Sequence, residues 1–450
     1  MARNYRFIPK KITDSSLEAY VEENATNSLS DIENILGKKI IPISLEKKQI
    51  DELLNKYYQK SKNTKRIQRL VYDESFLKNL IEAAQDFNSS DIHLEPFEAK
   101  ARVRIRIDGK LKEHFIIKKE DYGILVNKIK ILSHLDISEK RLPQDGRMKV
   151  KNNMEEIDFR ISVLPTMYGE KIVLRLLSKD NSFVNLEALG LTKQQTSTYL
   201  KNIKKPHGII LISGPTGSGK TTTLYATLKH LNQEHRNIVT IEDPIEYTIE
   251  GINQVQLREN IGLTFSNALR TFLRQDPDII MVGEIRDSAT ANMAIRASLT
   301  GHLVFSTIHT NSALATISRL IDMGIPSFLL ADTLTMSIAQ RLVRKLCPYC
   351  KKEQSANEIP LLKELENTDS NTIYYDAVGC EACYYTGYLG RKAIYELIEI
   401  DEKIKINIRD NKIGGATKFY KANGIKTLVS QALNLYKAGE TSLEEIYTLL

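Results

Sequence analysis

The octapeptide Gly214-Pro215-Thr216-Gly217-Ser218-Gly219-Lys220-Thr221 leaves less freedom to the fold than any other stretch of this chain. It fits G-x-x-x-x-G-K-[ST], a loop that needs a strand to deliver it and a helix to carry it away. Both neighbours are legible. The apolar run Ile209-Ile210-Leu211-Ile212 precedes the loop, and a helical pattern runs from Lys220 through Leu231. Glycines let the backbone wrap so that N–H groups and the helix N-terminus face phosphate oxygens. Lys220 then reaches the β and γ phosphates, Thr221 offers a hydroxyl to magnesium, and Thr222 extends the cradle. The spacing predicts a site for ATP and Mg2+.

Three later apolar runs end in groups suited to phosphate chemistry. Ile238-Val239-Thr240-Ile241 runs into Glu242-Asp243-Pro244, Ile279-Ile280-Met281-Val282 into Gly283-Glu284, and Leu303-Val304-Phe305-Ser306-Thr307 into His309. In an open α/β sheet ligands sit at the carboxyl ends of strands, so these groups should gather beside the loop. Carboxylates there hold magnesium's shell and orient or activate the attacking water. From 179 to 450 apolar runs alternate with helices, the pattern of an α/β domain on a mainly parallel sheet.

At 450 residues the chain exceeds one ordinary domain of ~150 residues. Residues 1–65 are charged and Asn/Ser-rich. Leu29-x-x-Ile32-x-x-Ile35-Leu36, stopped by Gly37, and Leu45 to Tyr58 predict a short helical region there. The basic stretch Gln59–Arg66 predicts a linker. Residues 66–178 predict a small α+β domain: Phe76–Phe87 is helical, and Ala101–Ile107 alternates strictly up to Asp108-Gly109. The pattern resumes at Lys110-Leu111, a hairpin signal, and Ile157–Val163 alternates again. Arg102, Arg104 and Arg106 share one face of this sheet, with Arg141, Arg147, Arg160 and Arg175 following.

Lys and Arg number 63 against 56 acids, and a net +7 spread over this length is too weak alone to argue for nucleic acid, so no direct nucleic-acid partner is expected. No uninterrupted apolar run approaches the ~20 residues of a membrane helix, and no signal peptide opens the chain. The expected location is the cytoplasm, with membrane contact through a partner. The four cysteines fall in one segment, 347–383, as Cys347-Pro348-Tyr349-Cys350 and Cys380-Glu381-Ala382-Cys383. Two Cys-x-x-Cys turns close a tetrahedral thiolate shell with no open position, which predicts a structural Zn2+ rather than a catalytic one.

The stretch Leu273-Arg274-Gln275-Asp276-Pro277-Asp278-Ile279-Ile280-Met281-Val282-Gly283-Glu284-Ile285-Arg286-Asp287 resembles the signature of the secretion ATPase superfamily. These are the hexameric motors of type II secretion, type IV pili and DNA uptake. Thr240-Ile241-Glu242-Asp243-Pro244-Ile245-Glu246 resembles the family's aspartate box, and Thr300-Gly301-His302 through Thr310-Asn311 its histidine box. The resemblance implies a RecA-like ATPase domain carrying the zinc insertion, a homo-hexamer, and work on an inner-membrane platform protein together with a membrane-anchoring component. It implies Glu284 as the Walker B acid at magnesium and Glu242 as a catalytic or water-positioning glutamate, the base being one of the two. It places His302 and His309 near the γ-phosphate, and it offers Arg147 and Arg160 as arginines that close the nucleotide site, in some members that of an adjoining subunit. Retraction motors generally lack the cysteine insertion, so the implied system is pilus assembly or type II secretion. A nucleic-acid-translocating motor of the same superfamily is the alternative.

Overall fold

The computed structural model describes residues 7–12, 16–22, 39–45, 50, 73, 75–152, 155–177, 185–355, 373–412 and 416–449. The chain divides into two compact units, Met1–Arg69 and Leu70–Leu450.

In the first unit strands stand within the region expected to be helical over residues 1–65, while Ile50, inside the Leu45–Tyr58 pattern, is helical. The strands form a three-stranded sheet of β1 (Phe7–Ile12), β2 (Ser16–Glu22) and β3 (Lys39–Leu45), with β2 central. The reason is a period of two: Leu17, Ala19 and Val21 are all buried, together with Ile40 of β3. Leu45, expected to begin a helix, ends a strand. The Leu29–Leu36 pattern, the Gln59–Arg66 linker and most of the Leu45–Tyr58 pattern lie outside the described residues.

The second unit holds two lobes. The smaller is a six-stranded antiparallel sheet ordered β6-β5-β4-β9-β8-β7. Its strands are β4 (Asp91–Pro96), β5 (Lys100–Ile107), β6 (Lys110–Lys118), β7 (Gln144–Asn152), β8 (Glu155–Thr166) and β9 (Gly169–Leu177). Helices α1 (Phe76–Asp86) and α2 (Lys119–Leu132) cover its apolar face. In β5 every second residue is buried, as the alternation requires. Asp108 and Gly109 both take positive φ, at 48° and 86°, which gives the β5–β6 hairpin its tight turn.

Four arginines of that sheet's polar face answer to two buried acids of β4. Arg102 Nε and Arg104 Nη2 reach Glu95 at 2.7 and 2.6 Å. Arg106 Nε and Arg175 Nε reach Asp91 at 3.0 and 2.9 Å. Burial opposes the charged form of Glu95, yet hydrogen bonds from Arg104 and Arg102 outweigh it and hold the carboxyl at about 2.

The larger lobe is built on a seven-stranded sheet ordered β12-β11-β13-β14-β10-β15-β18. Its strands are β10 (Gly208–Ser213), β11 (Ile238–Glu242), β12 (Asn253–Gln256), β13 (Ile279–Val282), β14 (Leu303–Ile308), β15 (Leu334–Leu346) and β18 (Tyr388–Glu399). β16 (Lys352–Ser355) and β17 (Ile373–Asp376) form a separate ribbon. The pairings are parallel except for β15 with β18. β10, β11, β13 and β14 are buried throughout, as a sheet covered on both faces demands. Ile210 and Ile212 face a core that includes α3 (Lys193–Ile203) and α4 (Lys220–Leu231), while Ile209 and Leu211 face α5 (Phe265–Phe272), α6 (Ser288–Leu299) and α7 (Ala313–Asp322).

Among the described residues the lobes touch at two places. Arg160 Nη2 on β8 donates to Ile245 O beyond β11 at 2.8 Å. Elsewhere the Tyr384 hydroxyl donates to Asp86 O at 2.9 Å, its ring meets Phe87 edge-on at 4.3 Å, and Asp108 Oδ2 accepts from Gly390 N at 3.0 Å.

Candidate nucleotide and metal sites

β10 delivers the glycine-rich loop and α4 leaves it, as the spacing predicts. β15 packs so closely on the loop that side chains are excluded. A Cβ on Gly214 would lie 2.6 Å from Gln340 O, and one on Gly219, at φ +90°, 2.7 Å from Gln340 Nε2. Pro215, Thr216 and Gly217 form the exposed crest, with Thr221 exposed and Thr222 half-buried at the start of α4. Lys220 Nζ donates back to Gly214 O at 2.7 Å and Pro215 O at 3.1 Å. Burial lowers the pKa of Lys220 and the Glu284 carboxylate opposes that shift. The Ser218 hydroxyl is buried with no hydrogen-bond partner among the described residues. An orphaned donor and a buried ammonium resting on carbonyls fit a cradle for phosphate oxygens.

Strand order sets how near each acidic strand end comes to the loop. At ~4.8 Å per strand, β14 adjoins β10, β13 lies ~10 Å from it and β11 ~14 Å. His309, just beyond β14, and Glu284, just beyond β13, meet at 3.0 Å through Nε2 and Oε2. Glu284 Oε1 also pairs with Arg286, whose Nη2 lies 3.4 Å from Asp243 Oδ2. Glu242, at the end of β11, is buried and fully engaged. Oε1 accepts from Thr240 Oγ1 at 2.6 Å and Gln254 Nε2 at 3.1 Å, and Oε2 accepts from the Tyr225 hydroxyl of α4.

The two histidines of the histidine box do not come together. His302 precedes β14, so the six-residue strand separates it from His309 by ~20 Å, at the opposite edge of the sheet from the loop. Its Nδ1 bonds instead to Ala297 O at 2.9 Å, closing the end of α6. Glu246 closes the aspartate-box heptapeptide, where the motif alone gives it no role. It is partly exposed and lies 3.6 Å from Arg160 Nη1.

Arg147, Arg160 and Arg175 stand side by side across β7, β8 and β9. With Ser162, Pro244 and Gln256 they line a cavity of about 520 Å³ between the lobes. Burial depresses the pKa of Arg160, Glu246 opposes the shift, and the flanking arginines add to it. A concave wall of three guanidiniums suits a polyanion.

Cys347, Cys350, Cys380 and Cys383 converge, with Sγ–Sγ distances of 3.8 Å (Cys347–Cys380), 3.7 Å (Cys350–Cys383) and 3.8 Å (Cys380–Cys383). A tetrahedron with ~2.3 Å metal–sulfur bonds has edges of ~3.8 Å, so the donor set fits one tetrahedral ion. Backbone N–H groups of Cys380 and Gly387 donate to Cys383 Sγ at 3.1 and 3.2 Å. They outweigh burial and bring that thiol down to about 7, toward the thiolate a metal requires.

A glycine-rich strand–loop–helix cradle at the edge of a parallel sheet, with an acid–histidine pair on the adjoining strand ends, defines a P-loop nucleotide-binding protein of the RecA-like class. The chain belongs to the Type II/IV secretion system protein family, a family of secretion ATPases, whose profile matches residues 68–448. It is 50% identical over 318 residues to a type II secretion system protein E of Pseudomonas aeruginosa, covering 71% of this chain and 63% of that protein. It is 42% identical over 436 residues to the type IV pilus assembly ATPase PilB of Myxococcus xanthus, covering 96% and 75%. The chain thus spans less than two thirds of the first relative's length. The crystal structure of the pilus retraction motor PilT with bound ADP shares the fold, with TM-score 0.56, 28% identity and coverage of 83% and 96%.

Proposed function

We propose that this chain is an ATP-hydrolysing motor that assembles as a homo-hexamer. It works at the cytoplasmic face of the inner membrane on a platform protein, and it powers assembly of a type II secretion pseudopilus or a type IV pilus. The observation that carries the reading is the placement of Glu284 and His309 beside the Lys220 loop. Lys220 and the loop amides bind and neutralise phosphate oxygens, and Thr221 and Glu284 would hold Mg2+, which supplies further charge neutralisation when bound. Glu284 is the better placed of the two glutamates for the reacting end, because β13 lies one strand nearer the loop than β11 and its carboxylate acts on Lys220, while Glu242 is buried among Tyr225, Thr240 and Gln254. Glu242 then acts as a positioning residue that ties α4 to β11.

Arg147 and Arg160 bring positive charge from the small lobe toward the same strand edge. The four cysteines would hold Zn2+ as a structural ion. Among the described residues no helix is long and apolar enough to cross a membrane, in keeping with attachment through partners. The test is co-purification from the native cell with crosslinking, combined with an ATPase assay of the purified chain. Recovery of a platform protein and pilin-like subunits with ATP turnover supports the reading. Hydrolysis that depends on added DNA, without those partners, overturns it in favour of nucleic-acid translocation.

A further inference from the structure

The loop has a second cation on the side away from Glu284. β15 runs beside β10 and outlasts it: Ser213, the last residue of β10, pairs with Ala339, and β15 continues to Leu346. Arg341 is therefore carried past the end of β10, over the start of the loop. Its Nη1 lies 3.1 Å from where a Cβ on Gly214 would stand. The Lys220 ammonium also rests on Gly214, 2.7 Å from its carbonyl oxygen, and Arg341 contributes to the lowered pKa of that ammonium.

Two cations so close are unfavourable unless an anion joins them. Yet among the described residues no carboxylate forms an ion pair with Arg341: the buried Glu396 favours its charge from beyond pairing distance and is itself held by Ala313 N, the Tyr420 hydroxyl and Leu428 N. The hydrogen bonds of Arg341 go to neutral acceptors: Nη1 to Gln340 O at 3.0 Å, and Nη2 to Asn311 O at 3.1 Å and Asn311 Oδ1 at 3.4 Å. A half-buried guanidinium held by carbonyls exchanges them readily for phosphate oxygens, which make stronger charge-assisted bonds in a two-pronged geometry. Asn311 stands two residues beyond His309, so the same guanidinium grips the segment that brings His309 to Glu284.

We propose that Arg341 is a phosphate-contacting residue that engages the terminal phosphate of a nucleoside triphosphate from the β15 side, within its own chain. The inference rests on the ATPase reading and adds a residue that neither the loop motif nor the acidic strand ends include. The loop amides already wrap the α and β phosphates. The terminal phosphate lies beyond that wrap, toward the Asn311–His309 segment that Arg341 holds. Arg341 thereby distinguishes triphosphate from diphosphate.

The experiment measures binding of a fluorescent ADP and a fluorescent non-hydrolysable ATP analogue to the full chain carrying Arg341→Ala, Arg341→Gln or Arg341→Lys. The nucleotide-free melting temperature is recorded in parallel. Loss of one charge-assisted contact should weaken the ATP analogue about tenfold and ADP less than about threefold. The nucleotide-free melting temperature should stay put, and Arg341→Lys should recover part of the loss. Unchanged affinity for both nucleotides overturns the proposal. So does an equal loss for both with a lowered melting temperature, the mark of a residue that only buttresses the loop. Lys220→Ala serves as the control: if it too binds both nucleotides normally, the phosphate-loop reading itself has failed, and not the role of Arg341 alone.

Discussion

Nε2 of His309 lies 3.0 Å from Oε2 of Glu284, although the two residues leave different strands 25 positions apart in the chain. β13 and β14 are parallel neighbours, so both side chains emerge at the same edge of the sheet, beside the loop that follows β10. The histidine fixes one carboxylate oxygen while Arg286 takes the other. A carboxylate oriented in this way should matter in the transition state more than in binding. Glu284→Gln should lower ATP turnover by about 10²-fold or more, since preorganised charge is lost where charge develops. Affinity for ATP should change less than about threefold. A rate near that of the unmodified protein would reduce Glu284 to a structural role.

Lys220→Ala should abolish measurable turnover and ATP binding. Its effect on the nucleotide-free fold should be small, because among the described residues the buried ammonium donates to two carbonyls, Gly214 O and Pro215 O. Circular dichroism melting separates the two effects. A melting temperature that collapses together with binding would mean that the lysine holds the loop rather than the nucleotide.

The small lobe should be acid-sensitive through Glu95. In the folded chain its carboxyl titrates at about 2 against an ordinary 4.5, so the folded state binds fewer protons than the unfolded one between those values. The stabilisation is complete above pH 4.5 and disappears as pH falls toward 2. Glu95→Gln removes the shared partner of Arg102 and Arg104. It should destabilise the lobe by about 2 kcal/mol at neutral pH, less than for a fully buried pair because both arginines are partly exposed. It should also flatten the stability profile between pH 4.5 and 2. A variant whose acid profile matches the parent would show that Glu95 is not the group responsible.

Much of this was legible in the residues, and the reasons differ by element. The loop could be read because β15 packs so closely on Gly214 and Gly219 that glycine alone fits there, and the β5–β6 hairpin because Asp108-Gly109 suits positive φ. The four cysteines could be read because metal geometry dictates their spacing. The N-terminal strands were missed because segments as short as Ser16–Glu22 show only three or four alternations, which short helical patterns nearby obscured. That His302 and His309 flank opposite ends of one six-residue strand was not legible, because the boundaries of a strand are not fixed by its apolar run alone. Glu95 and Asp91 went unnoticed because register alone brings them under the arginines. Arg341 carries no motif: its position depends on β15 running beyond β10.

Metal removal tests the cysteine cluster and what it supports. Elemental analysis should find about one zinc per chain, and Cys350→Ser should lower that content. The residues after Cys383 touch the small lobe through Tyr384, whose ring meets Phe87 and whose hydroxyl meets Asp86 O. Loss of the ion should therefore raise amide hydrogen exchange at the end of α1 and in the β5–β6 hairpin, as well as in the cysteine turns. Iron in the purified protein, or exchange unchanged after complete removal of the metal, would refute a structural zinc.

The last prediction concerns whose nucleotide site Arg160 serves. The family resemblance allowed the arginine to act on a neighbouring subunit. In this chain Arg160 Nη2 donates to Ile245 O at 2.8 Å, and Nη1 lies 3.6 Å from Glu246. Both partners follow β11 in the same polypeptide, next to the strand end that carries Glu242 and Asp243. If that arrangement persists in a ring, Arg160→Ala disables the site of its own chain. A developing phosphate charge that loses an arginine forfeits roughly 10³-fold in rate. Rings mixed from Arg160→Ala and Lys220→Ala subunits then contain no complete site, because each chain lacks one of its own two cations. They should stay inactive at every mixing ratio, with ring assembly verified by sedimentation so that dissociation is not mistaken for inactivity. An arginine supplied across the interface gives the opposite result. An Arg160→Ala chain, with its loop intact, would then receive Arg160 from a Lys220→Ala neighbour, and activity would peak at intermediate ratios. Such a peak would overturn the assignment of Arg160 to its own chain.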